Sequence, residues 1–465
     1  MKQDEIPNVV NVRFLSLQAE MLKIVSWHKT YSALSIVLKH ICDVQELMQA
    51  NVVFTPGFLP EYTYNDREQL KLEQRLSEAI ATRGFICSVS GPSKSGKTVL
   101  CESVIGKEKM LLVTGGGISE ESIFWQKVRK KLQLPLSKSI STQATRASQL
   151  TGKSEAGLQI PMLFNAKGGV DGSLSTGQSQ GETSQYDGPD GTELLEFIGQ
   201  NGYTLVVDDF HYINKAVQQS LAEQFKEAAR LGTAIVVVSV THRSDDAIRA
   251  NPDLRGRVSC IDIPYWEKSE LRVIADKGFP LLKLQPEPAL IDRFVSESVS
   301  SPQLMQAICL QFCRDIGCSE TQPNIAPIDL NQEQVGVLLR NTTSLANCKT
   351  AFDIIVTGPK PRGTERKIHY LNDGKSGDVY YVILKALACE DPVLTLSYAT
   401  IKDRIESLVP NDPPRGVGIV QALQQMGKAV EEKLGEDRVL EWDDEKEFLN
   451  VPDPYFIYYL RWANW

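Results

Sequence analysis

Eight consecutive residues constrain this chain more than anything else in it. Gly91-Pro92-Ser93-Lys94-Ser95-Gly96-Lys97-Thr98 follow an apolar run at 85–90 and open the stretch Val99-Leu100-Cys101-Glu102. The spacing G-x-x-x-x-G-K-[ST], set between a strand and a helix, is that of a phosphate-binding loop. Its glycines let backbone N–H groups wrap a β-phosphate, and the helix N-terminus adds partial positive charge. Lys97 is expected to place its ammonium between the β- and γ-phosphates, and the Thr98 hydroxyl to ligate Mg²⁺. The candidate nucleotide-binding residues are therefore Gly91, Ser93, Lys94, Ser95, Gly96, Lys97, Thr98 and Val99. Such a loop calls for an α/β fold with a parallel sheet behind it.

The pattern around the loop supplies that sheet. Short stretches at 85–90, 110–113, 205–207 and 234–240 alternate with amphipathic helices, and a further strand is expected at 258–263. The first four read as apolar along their length, as expected of parallel strands covered on both faces. The stretch Thr204-Leu205-Val206-Val207-Asp208-Asp209 ends in two carboxylates. Asp208 is expected to hold Mg²⁺ through water, and Asp209 to orient or deprotonate the attacking water. The strand at 234–240 runs into Thr241-His242-Arg243. That edge is where open α/β sheets bind ligands, which aims Arg243 at the γ-phosphate. Arg255 and Arg257 precede the last strand. In a ring or helical oligomer one of them would reach a neighbour's γ-phosphate.

The 465 residues are enough for about three domains. Residues 1–50 read as helix, with Leu22, Val25, Leu34, Val37, Leu38 and Ile41 at three- and four-residue intervals. Residues 137–192 are rich in Ser, Thr, Gln and Gly and read as an inserted loop. A helical region follows at 265–345, broken at 323–327, and then a Gly/Pro/basic connector at 357–367. The tail offers helices at 378–389, 397–408 and 418–430 and strands at 439–442 and 448–451, the order of a winged helix. The expected parts are an N-terminal helical segment (1–55), a P-loop core (56–264), a helical lid (265–356) and a winged-helix domain (357–465).

Composition narrows the function classes. No stretch reaches the ~18 uninterrupted apolar residues of a membrane span, so no membrane association is expected. The nine cysteines form no CxxC pair, as reduced core thiols of a cytoplasmic protein would not. Fifty basic against 58 acidic residues leave a net charge of −8. Between Glu431 and Glu447 stand nine acidic and three basic residues, a surface that repels phosphates. A protein partner is thus favoured over DNA for the tail.

Taken together the motifs resemble the AAA+ and STAND branch of P-loop ATPases. Residues 91–98 match Walker A, and Val206-Val207-Asp208-Asp209 match the Walker B form ending in two aspartates. Tyr64-Asn65-Asp66-Arg67-Glu68 is similar to the "GRE" box of the branch, which implies that Arg67 helps line an adenine pocket. Thr241-His242-Arg243 is similar to the "T-x-R" sensor, and Ser300-Ser301-Pro302 to the "G-x-P" lid motif with its glycine replaced, which implies a nucleotide contact at Pro302. Asp453-Pro454-Tyr455-Phe456 resembles the segment that closes the winged helix of these ATPases. The resemblance implies an ATP- and Mg²⁺-dependent ATPase acting as a conformational switch. It further implies a homo-oligomer with a protein partner or effector, in a setting such as antiviral defence. The alternative is a DNA-handling AAA+ ATPase of initiator, loader or transposition type, binding DNA through the winged helix.

Overall fold

The computed structural model describes residues 47–134, 137–139, 185–187, 191–240, 248–249, 251–359, 365–435 and 439–465. The helix expected over most of 1–50, the bulk of the 137–192 insertion, Thr241-His242-Arg243 and the middle of the connector lie outside the described residues. Of the insertion, Ser137–Ser139 pair antiparallel with Gln185–Asp187, and helix starts already at Gly191.

All five expected sheet strands form: β1 (Ile86–Gly91), β2 (Met110–Thr114), β3 (Thr204–Asp208), β4 (Ala234–Val240) and β5 (Val258–Asp262). They make one parallel sheet in the order β2-β3-β4-β1-β5. Consecutive residues of β4 point to opposite faces, yet Ile235, Val236, Val237 and Val238 are all buried. Both faces are therefore covered at β4, which explains why this strand is apolar at almost every position. The helices of this half are α1 (Leu72–Ala81), α2 (Lys97–Ile105), α3 (Glu121–Lys131), α4 (Gly191–Gln200) and α5 (Lys215–Leu231). α5 shows why its ends fall where they do. The Asn214 side chain accepts from Ala216 N–H at the start, and Gly232, at φ 102°, closes the end in the left-handed conformation.

The other half is helical. It contains α6 (Lys268–Leu281), α7 (Pro288–Glu297), α8 (Pro302–Asp315), α9 (Gln332–Thr342) and α10 (Lys349–Thr357). The break expected at 323–327 is there, where Ala326–Ile328 pairs in parallel with Leu284–Pro286. After the connector come α11 (Val379–Leu387), β6 (Thr395–Ser397), α12 (Tyr398–Leu408), α13 (Gly416–Leu434), β7 (Glu441–Asp443), β8 (Phe448–Asn450) and α14 (Pro454–Trp462). The hairpin β7–β8 takes β6 as a third, antiparallel strand in the order β6-β8-β7. That third strand and α14 go beyond the sequence reading. The aromatic run inside α14 is core, with Phe456, Ile457 and Tyr458 fully buried.

By contacts the chain divides into two units. One comprises Leu72–Gly91 and Leu100–Asp262, and the other Met1–Lys71, Pro92–Val99 and Ile263–Trp465. The cut differs from the boundaries expected from the sequence, because residues 56–71 and the loop at 92–99 go with the helical unit. A single apolar cluster fills that unit, from Ala50 and Phe54 through α6–α10 to Leu460. Among the described residues, no helix is long and apolar enough to cross a membrane.

Candidate functional site

The phosphate loop leaves the sheet at the C-terminal end of β1 and returns as the first turn of α2. Gly96 takes φ +91°, where an L side chain is strained, and Lys94 takes φ 60° at an exposed tip. These two reversals curl the chain enough to turn successive peptides around one point. Lys97 is buried, and its Nζ donates to the Pro92 carbonyl at 2.6 Å. Its ammonium therefore lies across the loop's own mouth. Trp266 Nε1 donates to the Ser95 carbonyl at 2.9 Å. The Ser95 hydroxyl is buried without a hydrogen-bond partner. A buried unpaired hydroxyl is costly unless an acceptor completes it. A basic, glycine-curled loop with a spare donor suits a polyphosphate anion.

The carboxylate end of β3 belongs to the sheet unit. Asp208 closes the strand, half-buried, and its Oδ1 accepts the Asp209 backbone N–H at 2.9 Å. Asp209 adopts the left-handed conformation, φ 55° and ψ 37°, and starts the short helical turn Phe210–Tyr212. The neighbouring strand supports this corner. Gly115, just past β2, donates its N–H to Asp208 O at 2.7 Å. A Cβ on Gly115 would stand 2.3 Å from Asp209 O, so nothing larger fits without moving the corner. β1 and β3 are parallel with β4 between them, so Gly91 and Asp208 end on the same edge of the sheet.

Arg67 is anchored by contacts of its own. The guanidinium pairs with Glu270 through Nε at 2.9 Å and Nη2 at 2.8 Å. It also donates to the carbonyls of Pro264 and Tyr265 at 3.0 and 2.9 Å. The side chain, 3% exposed, is thus committed to tying residues 65–70 onto the segment that follows β5. These contacts make it a structural tie within this unit. Pro302 stands at the first position of α8, where Ser301 caps the helix by accepting from Leu304 N–H. Before it, Val299 and Ser300 take φ 47° and 56° in succession. The serine in place of the motif's glycine thus still adopts a glycine's conformation. Arg255 and Arg257 flank Gly256 in a turn and are exposed. Arg243 lies outside the described residues.

Three supporting residues escaped the sequence reading: Trp266, Glu270 and Gly115. For Gly115 a signal existed, since three glycines in a row (115–117) directly after a strand mark a close backbone approach. Trp266 and Glu270 carry none, because their partners lie far away in sequence.

The sheet also holds a polar network at β1 and β5. Arg249 donates to Ser88 and to Asp262, and the Ser90 hydroxyl donates to Asp262 at 2.6 Å. Burial opposes the charge on Asp262, but the donors Ser90 and Arg249 outweigh it and hold the carboxyl below its usual range. Burial pushes the thiol of Cys87, on the same strand, up to about 12, which makes it an inert core group.

No protein-family model and no curated protein sequence matches the chain. Solved structures similar to it include Cdc6p from Pyrobaculum aerophilum, 12% identical, covering 89% of this chain and 98% of that one, with a TM-score of 0.39. A Walker-type ATPase of Pyrococcus abyssi is 14% identical over 85% and 95% of the two chains, with a TM-score of 0.43. The Aeropyrum pernix ORC2 protein, solved in ADPNP and ADP complexes, is 10% identical over 89% and 97%, with a TM-score of 0.40. At that distance the roles of individual residues rest on this chain's own geometry.

Proposed function

We propose that the chain is a Mg²⁺-dependent ATPase that works as a conformational switch. The observation that carries this reading is the shared sheet edge, where β1 runs into the Gly91–Thr98 loop and β3 ends in Asp208-Asp209. In this reading the loop's N–H groups and Lys97 hold the β- and γ-phosphates, while Thr98 and Asp208 hold Mg²⁺. The bound ion would neutralise phosphate charge. Asp209 orients the attacking water, Arg243 meets the γ-phosphate, and Arg255 or Arg257 serves a neighbouring subunit in a homo-oligomer.

The tail, with its three helices and hairpin, is read as a winged helix. Asp444, Glu445 and Glu447 are exposed at the hairpin turn, which favours a protein partner over a nucleic acid. The switch would then report nucleotide state to a multi-protein system, such as one of antiviral defence. The test is ATP affinity and turnover in the wild type, Lys97→Ala and Asp209→Asn. Lys97→Ala should lose ATP binding. Asp209→Asn should bind ATP but turn over roughly 10²–10⁴-fold more slowly. Unchanged affinity and turnover in Lys97→Ala would overturn the nucleotide assignment. Light scattering with ADP and with a non-hydrolysable ATP analogue tests the switch, which requires a larger particle with the analogue.

A further inference from the structure

A phosphate nest works only if its peptide N–H groups point inward. In a planar trans peptide the C=O and N–H bonds are antiparallel, so each inward N–H needs an outward carbonyl. The loop holds one of its carbonyls by a side chain from outside the loop. Trp266 Nε1 donates to Ser95 O, and that carbonyl shares its peptide plane with the Gly96 N–H. Gly96, at φ +91°, sits in a region with little local preference, so the orientation of this plane needs an external hold. The indole is itself held. The Arg67 guanidinium lies 4.8 Å from its ring centroid. Arg67 pairs with Glu270, the residue that completes the capping box at the start of α6. Trp266, Arg67, Glu270 and Ser95 are all buried, so the chain of contacts is shielded from water.

We propose that Trp266 is a positioning residue for nucleotide binding. By fixing the Ser95 carbonyl it turns the Gly96 N–H toward the phosphates, and through Arg67 and Glu270 it ties the loop to the first turn of α6. This rests on the nucleotide reading given above. It also gives the buried Arg67 guanidinium a place in the site: it backs the indole that sets the loop.

The test is calorimetric titration of ATP and of ADP into the full chain, wild type against Trp266→Phe, at a temperature where both are folded. Phenylalanine keeps a ring over Arg67 and removes the donor. Affinity for both nucleotides should fall about tenfold, the size expected when a buried carbonyl loses its partner. Wild-type affinity in Trp266→Phe, whatever its melting temperature, would overturn the proposal. Hydrogen–deuterium exchange of the wild type provides a second measurement that needs no variant. ATP should add protection both at the loop and at residues 267–272, the cap and first turn of α6, and protection at the loop alone would overturn the tie to α6. A wild type that binds no nucleotide sinks the nucleotide reading itself, which is a separate result.

Discussion

The two units hold themselves together by different means. In the sheet unit the strand residues that pack inside are mostly aliphatic, with Ser88, Ser90 and Ser239 among them, and the Arg230–Glu227 ion pair lies at the surface. In the helical unit two carboxylates are buried with arginine partners. Glu270 takes Arg67, and Glu297, fully buried, accepts from Arg461 Nε and Nη2 and from Trp462 Nε1, each at 2.8 Å. Arg461 continues to the carbonyls of Ala388 and Cys389 at the end of α11. Apolar packing tolerates many equivalent arrangements, whereas a buried ion pair is worth having only in one geometry. The helical unit thus adds a few long-range ionic pairings to its apolar packing.

That contrast is open to direct attack. The largest effect is expected from Glu297→Gln, which leaves the Arg461 guanidinium without its buried counter-charge. The helical unit should lose about 3 kcal/mol. Scanning calorimetry should show its transition falling while that of the sheet unit stays in place. A single transition that shifts as one would show that the units melt together.

Gly115→Ala attacks the sheet unit at the tight corner beside Asp209. The added Cβ must displace the Asp209 backbone, at a cost of about 1–3 kcal/mol. Turnover should fall while ATP affinity changes little, as measured by phosphate release and titration. Unchanged turnover would mean that the corner yields without moving the Asp209 carboxylate.

The smallest effect is a gain. Ser300→Gly removes a side chain from a left-handed residue, a conformation that costs an L residue about 1–2 kcal/mol. Glycine's larger freedom in the unfolded chain offsets part of this. The helical unit should gain up to about 1 kcal/mol, visible as a small rise in its melting temperature. A loss would show that the Ser300 side chain makes a contact that outweighs the backbone term.

Much of the fold could be read without coordinates, and the reasons are local. Strands β2, β3 and β4 announced themselves because a parallel strand covered on both faces is apolar along most of its length, whereas β1 carries two serines and β5 a serine and an aspartate. The phosphate loop was equally plain, since its chemistry demands glycine, lysine and a hydroxyl at set spacings within eight residues. The paired aspartates at the end of β3 followed from the strand they terminate. Arg67 stood out in the sequence, yet its partner was not visible: Glu270 lies 203 residues away, and Arg461 and Glu297 are 164 apart. Charge pairing at that range leaves no periodicity to detect.

The sequence by itself therefore determined the α/β class, the loop, the aspartates and the run of helices that follows. Each of these depends on residues within one or two turns of one another. Only the tertiary structure decided the strand order that brings Gly91 and Asp208 to one edge, and the glycine that leaves room for Asp209. It also showed that the loop's shape depends on an indole 171 residues away. Local patterns state what an element is, but a hydrogen bond to a particular carbonyl exists only once the chain has closed on itself.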